Sequence, residues 1–313
     1  MADTTGEDLP SVAVVIPTRG RADALSRCLL QLLPYVDMHP ECSIVVSDDG
    51  NAADTSAAMG IEFYGVRFLQ GPRRGPAANR NSGVAHSEGE LLVFLDDDCE
   101  PCPHLIGEYQ RAALQFPDCG VFEGRISAKG VATSFADSAP CNETGGFLWS
   151  CNFAVRRCLF NAVGGFDERF PFPAMEDVEL HFRLANKSLI RFLPEARVFH
   201  AYEKRTGWKG QRHHALSVLL YLHLHGLKAT NRGPKYFLRA TVRAAGSGGM
   251  RLLRGEVAKD PQHLMLIFGE SFLIFFITCI WRLHPYLASK IFPACCAGCS
   301  SLHASLAENA KIR

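Results

Sequence analysis

Continuous apolar runs, rich in β-branched residues, recur between residues 12 and 95, and a polar or glycine-containing segment ends each of them. Such runs predict strands that are buried on both faces of a sheet. The segments between them carry apolar residues at helical spacing. The predicted strands are 12–18, 42–50, 66–71 and 91–95, and the predicted helices are 22–36 and 75–89. This alternation predicts an α/β fold with a mostly parallel sheet flanked by helices.

Polar residues follow three of the predicted strands directly. In open sheets of this kind, ligands bind in the crevice outside the carboxyl ends of the strands. We therefore expect these residues to converge on one ligand-binding crevice. They are Pro17, Thr18 and Arg19 after the first strand, Asp48 and Asp49 after the second, and Asp96, Asp97 and Asp98 after the fourth.

The acidic end of the fourth strand raises a question of charge, because adjacent carboxylates repel one another. If the strand continues, alternation sends Asp96 and Asp98 to one side and Asp97 to the other. Two carboxylates on one side are oxygen ligands for a hard divalent cation such as Mg²⁺ or Mn²⁺. An exposed acidic turn is the alternative for these three residues taken alone.

A second acidic pair lies at the predicted start of a helix in the segment "EDVELHFR", residues 176–183. Val178 and Phe182 lie at helical spacing there, and the helix dipole favours the anionic Glu176 and Asp177 near its N-terminus. An ionised carboxylate at this position can accept a proton from an incoming hydroxyl group. A plain helix-capping acid is the alternative interpretation.

The character of the chain changes after residue 203. Residues 1–203 carry 17 Lys and Arg against 28 Asp and Glu, whereas residues 204–313 carry 16 against 4. The apolar segment 264–281 is interrupted by Glu270, so it fits a helix lying on a membrane surface better than a spanning helix. We predict a catalytic domain at 1–203 and a basic, amphipathic helical extension at 204–313. The alternative is that the extension covers the domain or a dimer interface.

Composition narrows the cellular setting. The chain has 313 residues, of which 47% are hydrophobic, so it can form a large core. No secretory signal is visible, and the twelve cysteines lack a disulfide-framework spacing. We interpret them as reduced thiols and predict a cytoplasmic protein, peripheral on the cytosolic face of the membrane. The basic extension contains no recognisable nucleic-acid-binding motif, so no nucleic-acid partner is predicted.

Six ordered motifs make this chain resemble a known family. They are "VVIPTRGR", "IVVSDDGN", "GPAANRNSG", "LLVFLDDDCEP", "GGFDERF" and "EDVELHFRL". Together they resemble the family 2 glycosyltransferases over roughly residues 11–203. The resemblance implies the GT-A fold, a Rossmann-like, mostly parallel sheet flanked by helices, here with a helical C-terminal extension.

The resemblance also implies a nucleotide-sugar site. The residues it places against the base, ribose and diphosphate of the donor are Pro17, Thr18, Arg19, Asp48, Asp49, Arg80 and Asn81. Asn79 departs from the family pattern, which more often has Ala at that position. Asp96 and Asp97 resemble the residues that support the ribose and the metal.

The remaining implied roles concern the metal and the acceptor. Asp98 resembles the direct ligand of Mg²⁺ or Mn²⁺, and His200 in "ARVFHAYE" is predicted to complete the metal or diphosphate site. Asp177 resembles the general base, with Glu176 shaping the acceptor side. Trp149 could stack on an acceptor sugar, and core packing is the alternative for its side chain.

These residues predict an inverting, metal-dependent glycosyltransferase that moves one sugar from a nucleotide-diphosphate sugar to a hydroxyl acceptor. A lipid-linked or cell-surface saccharide is the expected acceptor class, since the extension would hold the site near a membrane. A nucleotidyltransferase could use the same acidic crevice. A non-enzymatic nucleotide-sugar-binding protein is the other alternative, although such a protein needs no base.

Overall fold

The computed structural model describes residues 9–59, 66–132, 137–204 and 208–225. Residues Met1–Tyr221 form one compact unit and Leu222–Arg313 a second. The segment 264–281, interpreted above as a membrane-surface helix, lies outside the described residues, so its membrane association stays a prediction. The division at 203 and 204 also stays a prediction. No helix within the described ranges combines the length and apolar character that crossing a bilayer requires.

A mixed sheet of eight strands forms the centre of the first unit. The described residues contain ten strands, eight of them in this sheet: β1 Val12–Thr18, β2 Cys42–Asp48, β3 Val66–Gln70, β4 Leu91–Leu95, β5 Cys99–Pro101, β6 Cys119–Lys129, β7 Asp137–Ser138, β8 Asn152–Arg156, β9 Leu189–Ala201 and β10 Glu203–Lys204. Their order in the large sheet is β3-β2-β1-β4-β8-β6-β9-β5, and β7 pairs with β10 in a separate two-stranded ribbon.

The half of the sheet made by β1 to β4 is parallel, as the alternation of strands and helices predicts. Strand β8 runs antiparallel to both β4 and β6, and β5 runs antiparallel to β9, whereas β6 and β9 are parallel. The predicted α/β architecture is confirmed, with the antiparallel pairs gathered in the half that follows β4.

The described residues also contain seven helices. They are α1 Ala22–Val36, α2 Ala52–Met59, α3 Pro76–Ala85, α4 Leu105–Gln115, α5 Arg157–Ala162, α6 Glu176–Ala185 and α7 Trp208–His225. Helix α1 buries Leu25, Cys28, Leu29 and Leu32, the residues at helical spacing. Helix α3 ends at Ala85, earlier than the predicted residue 89.

The two core clusters lie on opposite faces of the sheet. Val12, Val14 and Ile16 of β1 pack in one cluster with the buried face of α1. Ala13 and Val15 pack in the other cluster with residues of α3 and α6. Because both faces of β1 are covered, its side chains are buried throughout, which explains the uninterrupted apolar run in the sequence.

Candidate active site

The carboxyl ends of β1, β2 and β4 meet at one edge of the sheet, as the sequence predicts. Strand β1 lies between β2 and β4, and Thr18 is directly opposite Asp48 in the register of β1 and β2. The Thr18 hydroxyl donates a hydrogen bond to the buried Asp97 carboxylate beyond the end of β4. The three polar strand ends therefore form one continuous surface.

Asp48 organises the loops around this surface. Its side chain is buried, and Oδ1 accepts hydrogen bonds from the backbone N–H groups of Gly20 and Gly50 at 3.0 and 2.7 Å. Oδ2 accepts a hydrogen bond from the Thr55 hydroxyl. Both carboxylate oxygens of Asp48 thus have partners within the protein, and its predicted contact with the nucleotide stays a prediction.

Asp49 holds the loop that leads into α3. Its two carboxylate oxygens accept hydrogen bonds from the backbone N–H groups of Arg73 and Gly75, at 2.8 and 3.1 Å. Pro17 is buried within β1, whereas Arg19 is exposed just beyond its end. Of these three predicted nucleotide-binding residues, Arg19 is the most accessible to a ligand.

The three consecutive aspartates do not continue the strand. Strand β4 ends at Leu95, and the chain turns at Asp97 and Asp98. Strict alternation therefore fails: Asp97 and Asp98 both contact Arg21, while Asp96 contacts Arg80. The pairing of Asp96 with Asp98 that a continued strand would give is wrong, because the turn directs these two carboxylates to different arginines.

Arg21, Asp97, Asp98 and His200 form a group that we call the cation cluster. Arg21 donates from Nε to Asp97 Oδ2 at 3.0 Å, from Nη2 to Asp97 Oδ1, and from Nη1 to Asp98 Oδ2 at 2.7 Å. Burial raises the pKa of Asp97 to about 6, even though Arg21 and Thr18 act in the opposite direction. Sequence reasoning missed Arg21 entirely.

Strand pairing brings His200 to Asp98. His200 of β9 lies directly opposite Cys99 of β5, and its Nε2 is 3.2 Å from Asp98 Oδ1. Its Nδ1 is 2.8 Å from the carbonyl oxygen of Ala201. With Nδ1–H donated to that carbonyl, Nε2 donates its own proton to Asp98, and loss of that proton would leave an Nε2 lone pair for a metal ion in the same direction.

The electrostatics of this pair are consistent with close contact between opposite charges. Burial opposes ionisation of Asp98, but His200 and Arg21 outweigh it and lower the pKa of the carboxyl group to about 2. Burial likewise disfavours a charged His200, and Asp98 outweighs it, raising the imidazole pKa to about 9. Each group thus favours the charged form of the other.

The donor atoms fit a divalent cation. One carboxylate oxygen, one imidazole nitrogen and the Cys99 sulfur all lie within 4.8 Å of one another. Cys99 is buried and donates to the carbonyl oxygen of Cys151 at 3.6 Å, and its pKa is raised well above the usual value by that cysteine and by burial. The thiol therefore stays protonated, and the remaining oxygen and nitrogen donors suit Mg²⁺ or Mn²⁺.

Arg80, Asp96, Glu176 and Asp177 form a second group, the base cluster. Arg80 of α3 is buried, and it donates from Nη2 to Asp96 Oδ1 at 2.6 Å and from Nη1 to Glu176 Oε1 at 3.1 Å. Asp96 and Glu176 raise the pKa of Arg80 against the effect of burial. Arg80 therefore connects the acidic turn after β4 to the first residue of α6.

Asp177 lies at the start of α6 in a buried position. Its Oδ1 accepts a hydrogen bond from the Val178 N–H at 2.7 Å and its Oδ2 one from the Ser150 N–H at 3.4 Å. Burial raises the pKa of Asp177, although Arg80 acts to lower it. A carboxylate with a raised pKa is a stronger base than an exposed aspartate, which suits proton abstraction.

Two buried polar atoms beside Asp177 have no hydrogen-bond partner among the described residues. They are Glu176 Oε2 and the indole Nε1 of Trp149. Burial, reinforced by Asp177, raises the pKa of Glu176 to about 8. Buried polar groups of a protein are normally paired, so these two unpaired atoms mark an unusual polar environment close to Asp177.

The loop that carries Trp149 depends on a residue that the sequence did not reveal. Glu123 of β6 is buried and accepts hydrogen bonds from the backbone N–H groups of Gly146, at 3.0 Å, and of Phe147. Phe147 is half exposed and stacks on Trp149 with 5.8 Å between ring centroids. Trp149 itself is partly buried against the core, which agrees with a packing role, and its stacking on an acceptor sugar stays a prediction.

Asn81 of α3 lies against the "GGFDE" loop. Its Nδ2 donates to the carbonyl oxygen of Phe166 at 2.9 Å and to Glu168 Oε1 at 3.1 Å, while its Oδ1 accepts from the Phe166 N–H at 3.0 Å. The side chain thus fastens α3 to the "GGFDE" loop. Three hydrogen bonds thus hold this side chain within the protein, and its predicted place beside the diphosphate stays a prediction.

The fold and these clusters define a class of protein. The structure is similar to the mannosyltransferase PcManGT from Pyrobaculum calidifontis, solved in complex with GDP-Man and Mn²⁺, with a TM-score of 0.55 and 16% identity. The match covers 89% of this chain and 88% of that protein. The fold is therefore that of the GT-A glycosyltransferases.

The sequence comparisons show similarity to one family over part of the chain. Residues 13–157 match the model of Glycosyl transferase family 2. The pre-mycofactocin glycosyltransferase of Mycobacterium tuberculosis is 28% identical over 218 residues, covering 63% of this chain and 44% of that protein. The GalNAc(5)-diNAcBac-PP-undecaprenol beta-1,3-glucosyltransferase of Campylobacter jejuni is 33% identical over 99 residues, covering 29% of this chain and 31% of that protein. Residues 13–157 of this chain are thus similar to glycosyl transferase family 2, and both of these curated relatives are glycosyltransferases.

Proposed function

We propose that this protein is an inverting, divalent-cation-dependent glycosyltransferase that moves one sugar from a nucleotide-diphosphate sugar to a hydroxyl acceptor. One observation carries the proposal. Arg80 joins Asp96, the neighbour of the cation cluster, to Glu176, the neighbour of Asp177. This bridge supports a cation site at Asp98 and a base at Asp177 close to one another at the carboxyl edge of the sheet.

In this proposal Asp98 and His200 hold Mg²⁺ or Mn²⁺. A divalent cation, when bound, neutralises charge on the diphosphate leaving group. Among the predicted nucleotide-binding residues, Arg19 is exposed at the end of β1 and is placed to contact the donor, while Asp48 and Asp49 keep the surrounding loops in position. The PcManGT structure, which has the same fold, contains a nucleotide sugar and Mn²⁺.

Asp177 acts as the general base. As the acceptor oxygen bonds to the anomeric carbon, its proton passes to the Asp177 carboxylate, and the nucleoside diphosphate leaves with the electron pair of the broken bond. The burial that raises the pKa of Asp177 strengthens it for this task. One base and no evident covalent nucleophile make this a single displacement, with inversion at the anomeric carbon.

The acceptor side is built from Trp149, Phe147 and Glu176. The stacked aromatic rings offer a surface to a sugar, and the unpaired polar atoms of Trp149 and Glu176 offer hydrogen bonds to its hydroxyl groups. We propose a saccharide or lipid-linked saccharide as acceptor. The name of the Campylobacter jejuni relative specifies an undecaprenol-linked substrate, and the basic region 204–313 suits an anionic membrane surface.

The proposal is tested with the full chain and two variants. Asp98→Asn is expected to lose Mn²⁺ binding and transfer, and Asp177→Asn to lose transfer while still binding nucleoside diphosphate with Mn²⁺. Release of nucleoside diphosphate from a nucleotide sugar is the readout. Release of pyrophosphate instead would identify a nucleotidyltransferase, and undiminished turnover by Asp177→Asn would exclude Asp177 as the base.

A separate experiment tests the membrane contact. The full chain is expected to float with anionic vesicles but not with neutral ones.

A further inference from the structure

Arg21 is in an unusual position for a cation, because it lies at the N-terminal end of α1. The positive end of a helix dipole disfavours a cationic side chain there. Arg21 is nevertheless held in place by two carboxylates, and its side chain remains 48% exposed. Its electrostatic partner is therefore the acidic turn after β4 and not the helix it begins.

The guanidinium group of Arg21 binds two different carboxylates, Asp97 through two nitrogens and Asp98 through one. Nε and Nη2 bind the two oxygens of Asp97, which is fully buried and also receives the Thr18 hydroxyl. Nη1 alone reaches Asp98. The contact with Asp98 can therefore break while the bidentate contact with Asp97 persists.

Nη1 of Arg21 donates its hydrogen bond to Asp98 Oδ2, an oxygen of the carboxylate that is the proposed cation ligand. The other oxygen, Oδ1, faces His200 Nε2. A divalent cation that binds the Asp98 carboxylate must compete with the guanidinium for its negative charge. The two positive charges would also repel each other at this distance.

A second carboxylate lies close enough to Arg21 Nη1 to replace Asp98 as its partner. Glu203 of β10 has its Oε1 4.0 Å from Arg21 Nη1, and its side chain is 61% exposed. When Nη1 leaves Asp98, Glu203 can take up the same charge with a small movement. The exposure of this pair makes it weak, as a temporary partner requires.

We propose that Arg21 is a positioning residue that competes with the divalent cation for Asp98 and thereby lowers the intrinsic cation affinity of the site. Cation binding then becomes strong only together with the nucleotide diphosphate, whose oxygens supply further ligands. This inference rests on the proposed function, since it takes Asp98 as a cation ligand. It adds to that function a control on when the cation binds.

Mn²⁺ alone, titrated into the full chain and followed by the loss of the free Mn²⁺ signal in electron paramagnetic resonance, tests the proposal. Arg21→Gln removes the competing charge. Arg21→Lys keeps the charge but lacks the planar guanidinium group that binds both carboxylates at once. Arg27→Gln, on the exposed face of the same helix, removes the same charge elsewhere. We expect Mn²⁺ to bind Arg21→Gln more tightly than wild type by up to about fivefold, the upper end of the range for an exposed charge pair.

Arg21→Lys should lie between Arg21→Gln and wild type, and Arg27→Gln should match wild type. Equal or weaker Mn²⁺ binding by Arg21→Gln would overturn the proposal, as would an equal gain in Arg27→Gln. Thermal unfolding of each variant checks that the fold is intact, and Arg21→Lys supplies the comparison if Arg21→Gln unfolds early. Asp98→Asn separates the two hypotheses: if it still binds Mn²⁺ normally, the proposed cation site itself is wrong.

Discussion

The cation cluster and the base cluster use the same device, an arginine between two carboxylates, in two different environments. The Arg21 side chain is 48% exposed and that of Arg80 only 4%. A buried arginine cannot leave its partners without leaving charges unpaired in the protein interior, whereas a half-exposed one can exchange them with solvent, a cation or another acid. Burial therefore separates an arginine that fixes geometry from one that can be displaced.

The largest effect is expected for a substitution in the base cluster, where Asp177 is the proposed general base. We predict that Asp177→Asn lowers the rate of sugar transfer by about 10² to 10⁴-fold, the contribution of a positioned general base. Asparagine keeps the shape of the side chain but cannot accept the proton. Release of nucleoside diphosphate measures the effect, and Asp118→Asn, an exposed substitution distant in sequence, serves as the control. A loss of less than tenfold would contradict the prediction.

The next prediction compares the two arginines directly. Arg80→Met leaves Asp96 and the buried Glu176 without their cation, so we expect the free energy of unfolding to fall by about 3 kcal/mol. Arg21→Met is expected to cost less, about 1 to 2 kcal/mol, because the guanidinium is half exposed even though the buried Asp97 loses its cation. Urea denaturation of both variants measures the difference. Equal losses would show that burial does not distinguish the two clusters.

A smaller effect is expected at the cation cluster. His200→Ala should weaken Mn²⁺ binding about tenfold, because it removes one donor and the group that favours ionised Asp98. The comparison variant is His86→Ala, whose imidazole is exposed and contacts the backbone of Ser82. Mn²⁺ titration of both proteins tests the assignment. If the two variants bind Mn²⁺ equally well, His200 is a structural histidine.

The smallest expected effect concerns Glu203. Glu203→Gln removes the alternative partner of Arg21 Nη1, so Nη1 should remain with Asp98 for more of the time and Mn²⁺ should bind slightly less tightly. We expect a change of about twofold or less, since the pair is exposed. The sign matters more than the size: it is opposite to that of Arg21→Gln. Tighter Mn²⁺ binding by Glu203→Gln would contradict the role of Glu203.

Local sequence patterns were sufficient to predict the convergence of the polar strand ends. Thr18, Asp48 and Asp96 follow apolar runs, and neighbouring parallel strands bring such ends to one edge. The acidic turn after β4 was harder to predict, because the run of aspartates does not show at which residue the strand ends. The structure places that point at Leu95, which separates Asp96 from Asp98.

Residues whose partners lie far along the chain were the ones that the pattern could not assign. The bonds of Arg21 to Asp97 and of Glu123 to the loop before Trp149 depend on the tertiary structure. A cation at a helix N-terminus and an acid within an apolar strand were nevertheless local signals that something unusual compensates them. His200 was predicted only through the family resemblance, since its approach to Asp98 requires the pairing of β5 with β9.

The bridge from Arg80 to Glu176 spans 96 positions along the chain, and that from Arg21 to Asp97 spans 76. Contacts of such high sequence separation close large loops and tend to be slow to form during folding. The crevice can thus be complete only after the central sheet has assembled. Partly folded chains, in which these pairs have not yet formed, would lack the bridge from Arg80 to Glu176 and the contact of Arg21 with the acidic turn. Assembly of this part of the structure therefore depends on completed folding.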